Sequence, residues 1–222
     1  SGPRILVVFD GLDFSHRPPS AMDTRMSMGF AGALAGEYTI YSVRRRPGLP
    51  RGYSLAEMAS DYAVMIRDMF GGPVDIMGLS TGGSIALHFA LEYPELIRKM
   101  VLACAGCRLI PSGKKLQLDI AEAAGRGKWR RAAALMAPAI SSGMASRLLS
   151  VLFWLMGKGF YSPSCETDGI VEIEAEDSHD VTSRLHQISV PVLVIGGDED
   201  YFYPVAETAA GIPGASLVLY PR

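Results

Sequence analysis

The sequence predicts an α/β protein built on a mostly parallel sheet flanked by helices, and three observations carry the prediction. Short β-rich apolar runs alternate with helical patterns along the chain. The first run, Ile5 to Phe9, is continuously apolar, as expected of a strand buried on both faces of a parallel sheet. A later strand pattern runs through Gly78-Leu79-Ser80-Thr81-Gly82 directly into an apolar helix. With 222 residues, 49% of them hydrophobic, the chain is long and apolar enough to bury a full core.

The elements follow in order. After Ile5 to Phe9 comes a polar loop, Asp10 to Ser20, and then a helical pattern from Ala21 to Ala35. Tyr38 to Val43 reads as a second strand. Ser54, with Glu57 three residues later, forms a capping box that opens a helix to about Phe70. The strand Val74 to Met77 leads into the Ser80 turn, and Lys99 to Cys104 gives the next strand. Pro191 to Ile195 and Ser216 to Leu219 complete the set, with a helix around Val205 to Ala210 between them.

Residues 107–188 interrupt this alternation. They lack convincing strands and show helical spacing at Lys115 to Ala124, Trp129 to Ala137 and Ala145 to Met156. A helical insertion between two sheet strands cannot thread the core, so it is expected to cap the edge beyond the strand C-termini, where open α/β sheets bind ligands. The expected organisation is therefore core (1–106), helical cap (107–188) and core again (189–222). Among the cap's apolar residues, Trp154 is a candidate for lining a substrate pocket.

Composition narrows the partners. A formal charge of −2 gives no reason to expect nucleic acid, and Arg44-Arg45-Arg46 and the basic stretch from Lys114 to Arg131 are expected on the solvated surface. Met144 to Phe160 is apolar but too short between Arg147 and Lys158 to span a bilayer, so no membrane is expected. Three cysteines, an odd number, point to a reducing compartment, hence the cytoplasm. Cys104-Ala-Gly-Cys107 lacks a second ligand pair, so buried structural thiols are expected there, with no metal and no cofactor. The partner is a small-molecule substrate, and the chain is a monomer or homodimer.

Ser80 is the residue to explain. A serine hydroxyl is a poor nucleophile unless it is lifted out of the backbone on a sharp turn where a base can reach it. Glycines two before and two after allow strand and helix to approach and let the serine take a strained conformation. The helix that follows aims its N-terminal N–H groups at the site, where an oxyanion develops.

Together the elbow, the strand order and the helical insertion resemble the α/β-hydrolase superfamily, most similarly its small capped esterase, peptidase and carbon–carbon hydrolase branches. The resemblance spans nearly the whole chain and implies the α/β-hydrolase fold. It also implies a triad in the order Ser, acid, His, with Ser80 as nucleophile. The segment Gly197-Asp198-Glu199-Asp200-Tyr201-Phe202-Tyr203-Pro204 resembles the family's G-x-x-D-x-x-x-P pattern and selects Asp200 as the acid, with Asp198 and Glu199 as alternatives on the same loop. The oxyanion donors implied are the Thr81 N–H and that of Leu12, with Gly11 as runner-up. Gly11, Leu79 and Trp154 are the expected substrate contacts. Many relatives carry His-Gly where this chain has Asp10-Gly11, which raises the question of where the Asp10 side chain points.

No histidine follows Asp200 in the sequence. His186 precedes the strand at Pro191 and so falls at the wrong edge of the sheet, and His88 is about 12 Å along the helix from the elbow. His16 and His179 lie on loops. The base is therefore expected beyond Arg222, in a chain that ends short of its natural C-terminus; a natural pseudo-enzyme is the other explanation. The implied activity is serine ester hydrolysis through an acyl-enzyme. The alternatives are a non-catalytic ligand-binding protein and a haloperoxidase-like perhydrolase.

Overall fold

The computed structural model describes residues 3–14, 32–34, 36–160 and 166–221. Six strands form one sheet: β1 (Arg4–Phe9), β2 (Tyr38–Val43), β3 (Val74–Leu79), β4 (Ile97–Ala103), β5 (Val192–Gly197) and β6 (Ser216–Tyr220). Their order is β2-β1-β3-β4-β5-β6 and every pairing is parallel. The chain leaves β1 outward to β2 and returns on the other side as β3, so the order reverses between β1 and β3. At such a reversal the connections on the two sides diverge and open a crevice beyond the strand C-termini.

The helix α1 (Leu55–Phe70) starts at the expected capping box, in which the Ser54 hydroxyl accepts from the Glu57 N–H and the Glu57 carboxylate accepts from the Ser54 N–H. It buries Leu55, Met58, Tyr62 and Ile66, spaced to present one face to the sheet, and stops at Gly71 in the left-handed region. The helix α2 (Thr81–Glu92) is apolar nearly all round and buried accordingly. The expected helix Ala21 to Ala35 lies almost wholly outside the described residues; Gly32–Leu34 form a 3₁₀ turn.

Between β4 and β5 the chain is helical: α3 (Pro111–Gly125), α4 (Trp129–Leu135), α5 (Ala137–Ile140), α6 (Gly143–Phe160) and α7 (Glu166–Asp177). A second apolar cluster, with Phe14, Leu116, Ile120 and Ile173 among its members, holds this layer together beside the main core. The helix α7 has no counterpart in the sequence reading, because its acidic residues mask it as a polar linker. The last helix, α8 (Val205–Gly211), packs between β5 and β6.

Candidate active site at the β1–β3 crevice

The turn after β3 puts Ser80 at φ 51°, ψ −125°, a left-handed conformation that a side chain rarely adopts. Three glycines make it possible. A Cβ on Gly78 would stand 2.5 Å from Gly83 Cα. One on Gly82 would drive into the Phe9 carbonyl, and one on Gly83 into the Ala105 side chain. The Ser80 N–H donates to the Ala103 carbonyl at 3.0 Å, and the Ser80 carbonyl accepts from Gly83 and Ser84 at 2.7 and 3.2 Å. Thr81 therefore leads the helix, and its N–H is among the first-turn donors that lack an intrahelical partner.

Beside Ser80 lies the loop after β1. A Cβ on Gly11 would sit 3.4 Å from both Ser80 Cβ and the Leu79 carbonyl, so Gly11 abuts the nucleophile candidate. The Asp10 side chain points away from the crevice. Both its carboxylate oxygens lie 2.8 Å from the Ser42 hydroxyl, and Arg44 is 3.7 Å away. Burial raises the Asp10 carboxyl, while Ser42, Arg44 and Arg45 pull it back.

Arg45 holds this loop from below. The structure corrects the expectation of a solvated arginine run: Arg45 is only 3% exposed. Its guanidinium donates to the Asp10 carbonyl, to the Gly11 carbonyl at 2.6 Å and to the Glu172 carboxylate of α7. Burial pushes Glu172 up to about 7 against the pull of Arg45, and it pushes the Tyr62 hydroxyl beside the pair up to about 12. Arg44 pairs with Asp13, and Arg46 with Asp61.

A second buried carboxylate lies under the elbow. Glu176, fully buried, accepts from Thr81 Oγ1 at 2.8 Å, Ser84 Oγ at 2.6 Å, Gln117 Nε2 at 2.8 Å and the Tyr203 hydroxyl at 2.7 Å. Burial and Glu176 raise Tyr203 well above the usual phenol, so it stays protonated, while hydrogen bonding to the Ser80 and Ser84 hydroxyls pulls the other way. Asp168, one helical turn before Glu172, accepts from the Gly48 and Leu49 N–H groups at 2.8 and 2.9 Å. Thus α7 presents acids at i, i+4 and i+8, each seating a different loop on the core. Sequence reasoning missed Arg45, Glu172, Glu176 and Tyr203. The spacing of Asp168, Glu172 and Glu176 was the available signal.

Asp200 follows β5, two strands from Ser80. Its Oδ1 accepts from the Phe202 and Tyr203 N–H groups at 2.8 and 2.9 Å, closing an Asx-type turn ahead of α8. An open depression of about 300 Å³ separates it from the end of β6, lined by Asp198, Asp200, Tyr203, Pro204 and Leu219. The main chain of Asp198 is tied to β6 through the Tyr220 carbonyl at 3.1 Å. Leu79 is 40% exposed beside Ser80, and the Leu12 side chain packs on the second apolar cluster.

Trp154 is not brought to this crevice. It lies on α6, which packs chiefly on α4 and α5, and its ring is 4.5 Å from the Arg130 guanidinium of α4. Cys107 is buried as expected, but Cys104 reaches the surface, where partial desolvation and the nearby Asp200 raise its thiol. Among the described residues no cluster of His, Cys, Asp or Glu is arranged to hold a metal.

The histidines that are described serve elsewhere. His179, read from sequence as a loop residue, is only 3% exposed. Its Nε2 lies 3.1 Å from the Gly106 carbonyl and its Nδ1 3.1 Å from His88 Nε2. His186 sits in the 3₁₀ segment Thr182–Gln187, ahead of β5 and at the far edge from Asp200. His16 lies outside the described residues.

A sequence profile described as the alpha/beta hydrolase family matches residues 11–222. The chain belongs to this family. Relatives include "Putative carbamate hydrolase RutD" of Rhizobium rhizogenes, 26% identical over 90% of this chain and 84% of that protein. Another is a poly(3-hydroxyalkanoate) depolymerase of Ectopseudomonas oleovorans, 29% identical over 74% of this chain and 59% of that one. Among solved structures, the enol-lactonase from Burkholderia xenovorans LB400 superposes with a TM-score of 0.76 at 20% identity, covering 99% of this chain and 83% of that one. An alpha/beta hydrolase from a deep-sea metagenome library, MGS-M2, gives 0.75 at 21%, covering 98% and 81%. At these identities the structures establish the fold, which agrees with the family membership.

Proposed function

We propose that this hydrolase-family chain cleaves a small, largely apolar ester-type substrate through an acyl-enzyme on Ser80. The observation that carries the reading is the φ of 51° at Ser80, backbone strain at the residue whose hydroxyl the elbow presents to the crevice. The names of its relatives, a carbamate hydrolase and a poly(3-hydroxyalkanoate) depolymerase among them, support hydrolysis without choosing this chain's substrate.

In this mechanism Ser80 Oγ attacks the acyl carbonyl and loses its proton to a histidine base that Asp200 orients. The tetrahedral oxyanion is held by the N–H groups of Thr81 and Leu12. Collapse expels the alcohol, which takes the proton from the histidine, and water then resolves the acyl-enzyme by the same route. Glu176 fixes the Thr81 and Ser84 side chains, and Arg45 fixes the loop bearing Gly11 and Leu12, so both sets of donors are aimed before substrate arrives. Residues 107–188 act as the cap over the crevice.

The test is intact-protein mass after exposure of the full-length natural protein to a fluorophosphonate probe, beside Ser80→Ala. A single adduct that disappears in the variant is expected. A folded protein that forms no adduct would overturn the mechanism and leave a ligand-binding protein without turnover.

A further inference from the structure

We propose that the outer face of α6 is an interfacial surface that lies on anionic lipid. The helix is amphipathic in the inverted sense. Its inward positions, Ser146, Leu149, Ser150, Phe153 and Gly157, are mostly small or polar. Ser150 Oγ donates to the Ala134 carbonyl at 3.2 Å, and a Cβ on Gly157 would stand 2.6 Å from Arg130 Cα, so α6 seats closely on α4 by this face. The outward positions are Met144, Leu148, Val151, Leu152 and Leu155, exposed by 85, 73, 57, 47 and 61%. Their spacing of i, i+4, i+7, i+8 and i+11 makes one continuous aliphatic stripe. A stripe of this length left in water marks a contact surface.

Charge selects the occupant. Residues 127–160 contain Lys128, Arg130, Arg131, Arg147 and Lys158 and no acidic residue, although the whole chain carries a net charge of −2. Both tryptophans of the chain fall in this stretch, and Trp129, Trp154, Lys128, Arg130 and Arg131 line one open depression of about 330 Å³. A second copy placed face to face would set cation against cation with no acid to answer, which disfavours self-association here. An anionic bilayer answers every feature. Its acyl boundary takes the aliphatic stripe, its head groups take the lysines and arginines, and tryptophan prefers the level between them. Among the described residues no helix is long and apolar enough to cross a membrane. The expectation of no membrane contact rested on spanning length, and a helix lying in the interface needs none.

The inference stands independently of the role of Ser80, and binding alone tests it. The chain is floated with vesicles of phosphatidylcholine, and with vesicles containing three parts in ten phosphatidylglycerol. At least tenfold stronger partitioning into the anionic vesicles is expected, weakening in 0.5 M salt as the surface field is screened. Leu148→Glu/Leu155→Glu, at exposed positions, should abolish it while circular dichroism and the melting temperature stay unchanged. Lys128→Glu/Arg131→Glu should remove the preference for anionic lipid and serves if the first variant misfolds. Equal partitioning into both vesicle types, indifference to both variants, or a dimer dissolved by Leu148→Glu/Leu155→Glu in a protein that ignores vesicles would each overturn the inference.

Discussion

Arg45 and Glu172 form a buried ion pair whose two side chains are 2% and 1% exposed, joining the end of β2 to α7, which lie 127 residues apart in sequence. The guanidinium also donates to the Asp10 and Gly11 carbonyls, so one side chain fixes both the helical layer and the loop beside Ser80. Stability and site geometry meet at this pair, and they can be separated.

Arg45→Met leaves Glu172 buried without its partner and should cost about 3–5 kcal/mol in urea unfolding. The double variant Arg45→Met/Glu172→Leu should recover most of that loss, because a buried ion pair replaced by packed apolar groups is close to neutral. Fluorophosphonate labelling of Ser80 should stay slow in the double variant, since Asp10 and Gly11 still lack their donors. Recovery of labelling along with stability would show that Arg45 does not position the loop.

Glu176 presents the sharper polar risk. Four donors converge on its two oxygens, and all are buried from water. Glu176→Leu strands them, at about 1–3 kcal/mol for each donor left unsatisfied. Glu176→Gln keeps one acceptor oxygen and turns an amide toward the other donors, so a smaller loss is expected. Denaturant midpoints of the two variants should rank in that order, with both labelling more slowly than the parent protein.

Gly82→Ala places a Cβ against the Phe9 and Asp10 carbonyls, which are backbone and cannot rotate aside. Either α2 or the end of β1 must shift, at a cost of about 3 kcal/mol. Gly36→Ala, where nothing lies within 4 Å, is the control and should be neutral. Thermal melting of both variants checks the contrast.

The elbow was legible because local chemistry writes it: Gly78, Gly82 and an apolar strand and helix suffice to force the turn, whatever the rest of the chain does. The parallel sheet was legible from the buried apolar runs of β1 and β5. The loops' anchors were not. Nothing local distinguishes Arg45 from Arg44 or Arg46, and only the tertiary approach of Glu172 buries one and leaves the others at the surface. The helix α7 escaped for the same reason, since Asp168, Glu172 and Glu176 give its inward face the polarity of a solvated one. The aliphatic stripe of α6 carries the opposite ambiguity, because apolar spacing reports a face to be covered without saying by what.

The His88–His179 contact makes stability fall in acid. Burial, reinforced by His179 and Arg184 and opposed by Glu92, lowers His88 from the ordinary 6.5 to about 4. Burial also lowers His179, with Lys114 acting in the same sense and Gly106, Glu176 and Asp180 opposing it. Between those pH values the unfolded chain binds the proton that the folded chain excludes, so stability is fully present above 6.5 and is lost as pH falls toward 4. His88 contributes up to about 3 kcal/mol to this slope. Urea unfolding at pH 7.5, 5.5 and 4.5 should show it, and His88→Gln, which keeps a donor for His179, should flatten it.

Ser80 itself should be a residue the fold would rather not have. At φ 51° and ψ −125° a serine carries strain that glycine does not, of the order of 1–3 kcal/mol. Ser80→Gly should therefore raise the melting temperature while abolishing probe labelling, whereas Ser80→Ala abolishes labelling and keeps the strain. If both variants melt alike and below the parent protein, the hydroxyl is a structural group and its exposure at the crevice is incidental. If glycine stabilises and alanine does not, the strain at the turn is held for the sake of the hydroxyl it presents.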